Sequence, residues 1–197
     1  MKSLVDHARS FAAHVAERAE EFTVLGAGQS PEALFITCSD SRVVPSLFTG
    51  ARPGELFELR TAGNIVPDYR SHHPAAETAT IEYAVRVLGV RDVIVCGHSH
   101  CGAVNALMSG GDLSDLPAVR GWLEHAAVQP ETTVPLSPDL AEAVQRHAVA
   151  QLERLHTHPC VAERVAAGTL RVHAWYYEVH TGAVQEYRPR DNSFRPL

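Results

Sequence analysis

The chain has 197 residues, 45% of them hydrophobic, which is enough for one compact domain with a substantial core. A net charge of −6 and a pI of about 6.0 offer no basic stripe for a nucleic acid, and no segment approaches the ~20 apolar residues of a membrane span. No Gly/Ser- or Pro-rich stretch is long enough to be a linker, so residues 1–197 read as a single domain. Residues 1 to about 25 are interrupted by charge every few positions and lack the apolar centre of a signal peptide, which suggests a cytoplasmic protein. They form an amphipathic helical arm, with Leu4, Phe11, Val15 and Phe22 available for one face.

Three short apolar runs follow as predicted strands, at 33–37, 55–59 and 92–96. Between the last two, "HPAAETATIEYAVRVLGV" fits a helix whose face is Ala76, Ala79, Ile81, Ala84, Val85 and Leu88, ending near Gly89. "CGAVNALMSGG" reads as a helix closed by glycines, and the stretch from Asp112 to about Pro159 is helical. Within it, Ser137-Pro138 supplies a cap followed by a first-turn proline. The end, "LRVHAWYYEVHTGAVQEYR", reads as two strands around a Thr181-Gly182 turn. Strand, connector, strand, helix, strand predicts an α/β fold: a central, mainly parallel sheet with an antiparallel edge strand, flanked by helices.

The chemistry gathers where the predicted strands end. Cys38, Asp40 and Arg42 follow the first strand, and His98 and Cys101 follow the third. In a parallel α/β sheet those ends open onto one edge, where ligands usually bind. Two cysteines and a histidine make three metal ligands and leave a fourth position for water, the pattern of a catalytic zinc site. Asp40 and Arg42, two apart in extended chain, point to one side and can form a charge-assisted pair. On these residues alone the bland reading stays open: small core cysteines and a surface ion pair worth at most about 1 kcal/mol. That reading is the one adopted for Cys96 and Cys160.

"CSDSRVVPS", "GELFELRTAGNIVP", "IEYAV" and "GHSHCGAV" together resemble the β-class carbonic anhydrases, from Gln29 to Val104, with weaker similarity in "HAWYYEVHTG". The resemblance implies one zinc ion per chain on Cys38, His98 and Cys101, with Asp40 and Arg42 as the catalytic dyad. It implies reversible hydration of carbon dioxide to bicarbonate and a proton, through attack by a zinc-bound hydroxide. Asp40 would join the metal only in a closed, inactive state. The resemblance also assigns Gln29, Phe57, Tyr83 and Gly102 to substrate binding, in a pocket formed across a dimer interface. The N-terminal helix would pack on the partner subunit, in a dimer or a dimer of dimers.

Part of the family carries a second, inhibitory bicarbonate site built from Trp, Arg and Tyr. Arg60 and Tyr177 match, but Phe35 stands at the tryptophan position, so an open, active site at neutral pH is expected. Other readings of the same motifs are hydrolysis of carbonyl sulfide or carbon disulfide, and a non-catalytic zinc–thiolate redox or bicarbonate sensor. His100 is expected to be an oriented neighbour of the ligands, and His156-Thr157-His158 a polar surface segment.

Overall fold

The computed structural model describes residues 1–70, 72, 75–125 and 139–197. Its centre is strand β1 (Ala33–Cys38), six consecutive buried residues, as expected of a strand covered on both faces. β1 pairs in parallel with β2 (Leu56–Thr61) on one side and β3 (Asp92–His98) on the other. β4 (Arg171–Tyr177) continues the parallel order, and β5 (Val184–Arg188) and β6 (Ser193–Pro196) add antiparallel strands to give β2-β1-β3-β4-β5-β6. The antiparallel edge is therefore two strands rather than one. "SFRP" hides the second because it is short and ends in Pro196, a residue tolerated only at a sheet edge.

β2 and β3 each run two residues beyond the predicted ends, because ladder partners continue there: Thr61 lies opposite Cys38 and His98 opposite Tyr177. Cys38 and His98 are thus the last residues of their strands rather than the first of the loops.

The alternation of β1 sends Leu34 and Ile36 into one core and Ala33 and Phe35 into another. The first core is closed by Ile81 and Val85 and, beyond α6 (Pro117–Glu124), by Leu155 of α7 (Leu140–Leu155) and Val161 of α8 (Pro159–Ala166). In the second, Phe35 lies edge-on to Phe48 of α3 (Pro45–Thr49) and to Trp175. Cys96 and Cys160 are buried in these cores, and burial raises both thiols above their ordinary pKa.

Three predicted helices need adjustment. The arm is two helices, α1 (Lys2–Glu17) and α2 (Ala19–Gly26), broken at Arg18, which pairs with Glu21 at 2.6 Å. Phe11 and Phe22 would stand about 16 Å apart along one straight helix, yet their rings meet at 5.9 Å, so the arm folds back on itself. After β2, α4 (Ala76–Glu82) runs on into a π-helical turn at Tyr83–Val87. Its buried face is Thr78, Ile81, Ala84 and Val85, whereas Ala76 and Ala79 are exposed, because a 3.6-residue period puts Thr78, not Ala79, in line with Ile81. α7 is capped by Asp139, whose Oδ1 accepts the Ala141 N–H at 2.9 Å; the expected Ser137-Pro138 cap lies outside the described residues. His158 is buried as the cap of α8, and its Nε2–H donates to the Pro67 carbonyl at 2.9 Å, so that segment is not simply polar surface.

Candidate active site

β1 and β3 are parallel neighbours, so Cys38 and His98 emerge side by side at one edge of the sheet. Cys101 caps the next helix, α5 (Gly102–Ser109), where the N–H groups of Ala103 and Val104 face its sulfur. All three side chains are buried, and their ligand atoms lie within 4.8 Å of one another.

The protonation chemistry of the trio suits a cation. The His98 Nδ1–H donates to the Ser99 carbonyl at 2.9 Å, which leaves Nε2 as a fully buried lone pair with no hydrogen-bond partner. The Cys38 thiol is held well below its ordinary range by the hydrogen bond from Cys101, with help from the Gly63 N–H at 3.3 Å and against the opposing effect of burial. Cys101 is raised, since it keeps the proton the pair shares and burial opposes its charge. A lone pair with no donor and two thiols sharing one proton need a positive centre between them. Two sulfurs and an imidazole suit zinc rather than magnesium or calcium.

Beside the trio, Asp40 is gripped by Arg42. Nε donates to Oδ1 at 2.9 Å, Nη2 to Oδ2 at 2.7 Å, and the Arg42 backbone N–H adds a bond of 2.9 Å to Oδ1. That grip holds the Asp40 carboxyl well below the usual carboxylate range. Oδ2 stands 3.9 Å from Nε2 of His98, so a permanent anion faces the point where the three ligands converge.

Two residues whose roles the sequence did not suggest brace this loop. Nη2 of Arg60 donates to the carbonyls of Cys38, Asp40 and Val43, at 2.9, 2.9 and 2.7 Å. Gly63, in the 3-10 turn after β2, is held in the left-handed region at φ +74, and its carbonyl accepts from His147 Nε2 at 2.7 Å. A strand-terminal "TAGN" signals a turn, but nothing in it announces a donor to a thiolate.

A sequence model of the carbonic anhydrase family matches residues 33–184, a span that contains the trio, the Asp40–Arg42 pair and Gly63. The chain belongs to the β-class carbonic anhydrases. It is 48% identical to a carbonic anhydrase of Pseudomonas aeruginosa over 172 residues, which cover 85% of this chain and 78% of that one. The solved β-carbonic anhydrase CcaA superposes with a TM-score of 0.89 at 36% identity, covering 100% of this chain and 99% of that chain. Tetrameric β-carbonic anhydrases of Sordaria macrospora give 0.76 at 28% identity, covering 94% of each chain. The activity is accordingly zinc-dependent hydration of carbon dioxide.

The remaining residues that the β-carbonic anhydrase motifs single out divide into two groups. Gly102 opens α5 next to Cys101, at the ligand edge. Gln29, Phe57 and Tyr83 lie elsewhere. Phe57 is opposite Leu34, four residues before Cys38 in the ladder and hence about 13 Å down the strands. Tyr83 packs on Phe57 at 6.0 Å and is 44% exposed, and Gln29 is exposed ahead of β1. One chain therefore presents its ligands at the carboxyl edge of the sheet and these three residues towards the amino edge. At the tryptophan position Phe35 is fully buried among aromatics, Tyr177 stacks on Phe48 at 4.4 Å, and Arg60 is engaged by the loop.

Proposed function

We propose that each chain holds one zinc ion through Cys38, His98 and Cys101 and hydrates carbon dioxide at neutral pH, in the cytoplasm, as a homodimer or a dimer of dimers. The observation that carries the proposal is the buried, partnerless Nε2 of His98 beside two thiols that share a proton. Zinc bound there would supply a Lewis acid that lowers the pKa of bound water from ~15.7, less far with two thiolates than the ~7 of an all-histidine site.

The chain's own residues supply the rest. Asp40 accepts a proton and orients its donor, and Arg42 keeps it ionised and holds both its oxygens, so that it stays beside the ligands rather than joining them, which favours an open site. Phe35 leaves the second bicarbonate site without its indole donor, and Nη2 of Arg60 is committed to the loop, which weakens the hold on an anion there and so the means of pulling Asp40 across. Gln29, Phe57 and Tyr83 of one subunit would form an apolar pocket over the ligands of the other, which suits an uncharged substrate needing few polar contacts. The arm supports the same assembly, since Leu4, Phe11 and Val24 are 71%, 53% and 72% exposed and no residue of α1 or α2 is buried. Among the described residues no helix is long and apolar enough to cross a membrane.

Metal analysis with stopped-flow hydration tests the proposal. The purified protein should carry one zinc per chain and hydrate carbon dioxide across about pH 6.5 to 9, and Cys38→Ala should lose metal and activity together. Asp40→Asn should retain its zinc and lose turnover by ~100-fold or more, the scale of a missing general base. Zinc without hydration at any of these pH values would overturn the reading, and normal turnover in Asp40→Asn would remove the dyad from it.

A further inference from the structure

We propose that His100, Glu178 and His180 form a second metal site, on the surface, for a borderline divalent cation of the zinc class. Among the described residues only two groups of ligating side chains come together closely enough to hold an ion. One is the buried trio, and the other is this set, whose ligand atoms lie within 4.8 Å of one another. Bonds of ~2.1 Å to such a cation put neighbouring ligands about 3.4 Å apart in a tetrahedron, so small side-chain rotations, chiefly of the two exposed imidazoles, complete the set. Two imidazoles and a carboxylate suit zinc, nickel or copper and not magnesium or calcium.

The backbone carrying the three donors is fixed independently of any ion. His100 stands at φ +57, outside the conformations that side-chain-bearing residues prefer, and its carbonyl accepts from Arg42 Nη2 at 3.2 Å. The loops after β3 and β4 are stitched together, with Ser99 N–H donating to the Tyr177 carbonyl at 2.9 Å and Val179 N–H to Ser99 Oγ at 3.0 Å. The turn that presents Glu178 and His180 is closed by bonds from Glu178 N–H to Ala183 O and from Gly182 N–H to Glu178 O. Glu178 is aimed by the Tyr176 hydroxyl, which donates to Oε2 at 3.1 Å. The rings of His100 and His180 are 6.4 Å apart, and Nδ1 of His180 lies 2.9 Å from Oε1 of Glu178. A cation bound there would bridge these two groups in place of their mutual hydrogen bond. None of the three residues belongs to the Cys38–His98–Cys101 trio, so the proposal stands whether or not the enzyme turns over.

The test is a calorimetric titration of the zinc-loaded holoenzyme with Zn2+, alongside His180→Ala, Glu178→Gln and, as a control, His7→Ala. Wild type and His7→Ala should take up one further zinc per chain, and the two cluster variants should bind it at least tenfold more weakly. Equal affinity in wild type and both cluster variants would overturn the site, as would no uptake beyond the first zinc in wild type.

Discussion

Gly63 does two things that a side chain at its position would hinder. At φ +74 it turns the chain after β2 so that its N–H points at the Cys38 sulfur, and a Cβ added there would stand 2.9 Å from the Cβ of Ala103, the second residue of α5. Left-handed backbone costs an alanine about 1–2 kcal/mol before any clash is counted, and relief of the clash moves α5, which Cys101 caps. Gly63→Ala should therefore lower the urea midpoint and speed the loss of zinc to a chelator; an unchanged midpoint with wild-type zinc retention would show that the approach is not tight. Cys38, Asp40, Arg42, His98 and Cys101 could be singled out in the sequence because apolar runs end abruptly in them, and it was the family resemblance of the surrounding motifs that gave them roles. Gly63 and Arg60 were not legible, because they act through backbone direction and through three carbonyls, groups every residue carries.

At the scale of elements, α7 approaches β3 and β4 where Gly97 leaves room. A Cβ on Gly97 would lie 2.7 Å from Cγ1 of Val144 and 3.4 Å from its carbonyl. Since His98 is the next residue, Gly97→Ala should cost about 1–3 kcal/mol by overpacking and disturb the metal site. Val144→Ala removes the methyl that clashes, so the double variant should be more stable than Gly97→Ala alone. Additive losses would place the strain elsewhere. The junction of α7 and α8 carries a pH dependence. Burial lowers the pKa of His158, so the folded chain keeps it neutral while the unfolded chain protonates it near pH 6.5. Its contribution is present above that value and is lost as pH falls through and below it. The melting temperature of wild type should thus fall more steeply between about pH 7 and 5 than that of His158→Gln, which keeps an N–H donor without titrating; parallel slopes would mean that His158 is not held neutral. Strands β1 to β5 and the mainly parallel sheet survived the passage from sequence to structure because short apolar or alternating runs between turn residues mark strands. The face of α4 and the burial of His158 did not, since each depends on what packs from a distant part of the chain.

The whole molecule raises the question of where the substrate pocket is assembled. Within one chain the parallel register separates Phe57 from the ligand level by about four residues, and no side chain spans that ~13 Å. The motif that pairs these residues with zinc ligands was legible in the sequence, but their separation appears only once β2 is laid beside β1. If a partner brings Gln29, Phe57 and Tyr83 over the ligands, two different defects can complement each other. A chain with Cys38→Ala lacks the metal but offers a sound pocket, whereas a chain with Gln29→Ala and Tyr83→Ala keeps the metal under a damaged one. Unfolded together and refolded, half of the dimers should be mixed, and each mixed dimer has one site whose metal and pocket are both intact. Activity should then rise to about a quarter of the wild-type value per chain, well above either parent. If pocket and metal belonged to the same chain, every site in the mixture would carry one defect or the other, and activity would stay at the average of the two parents.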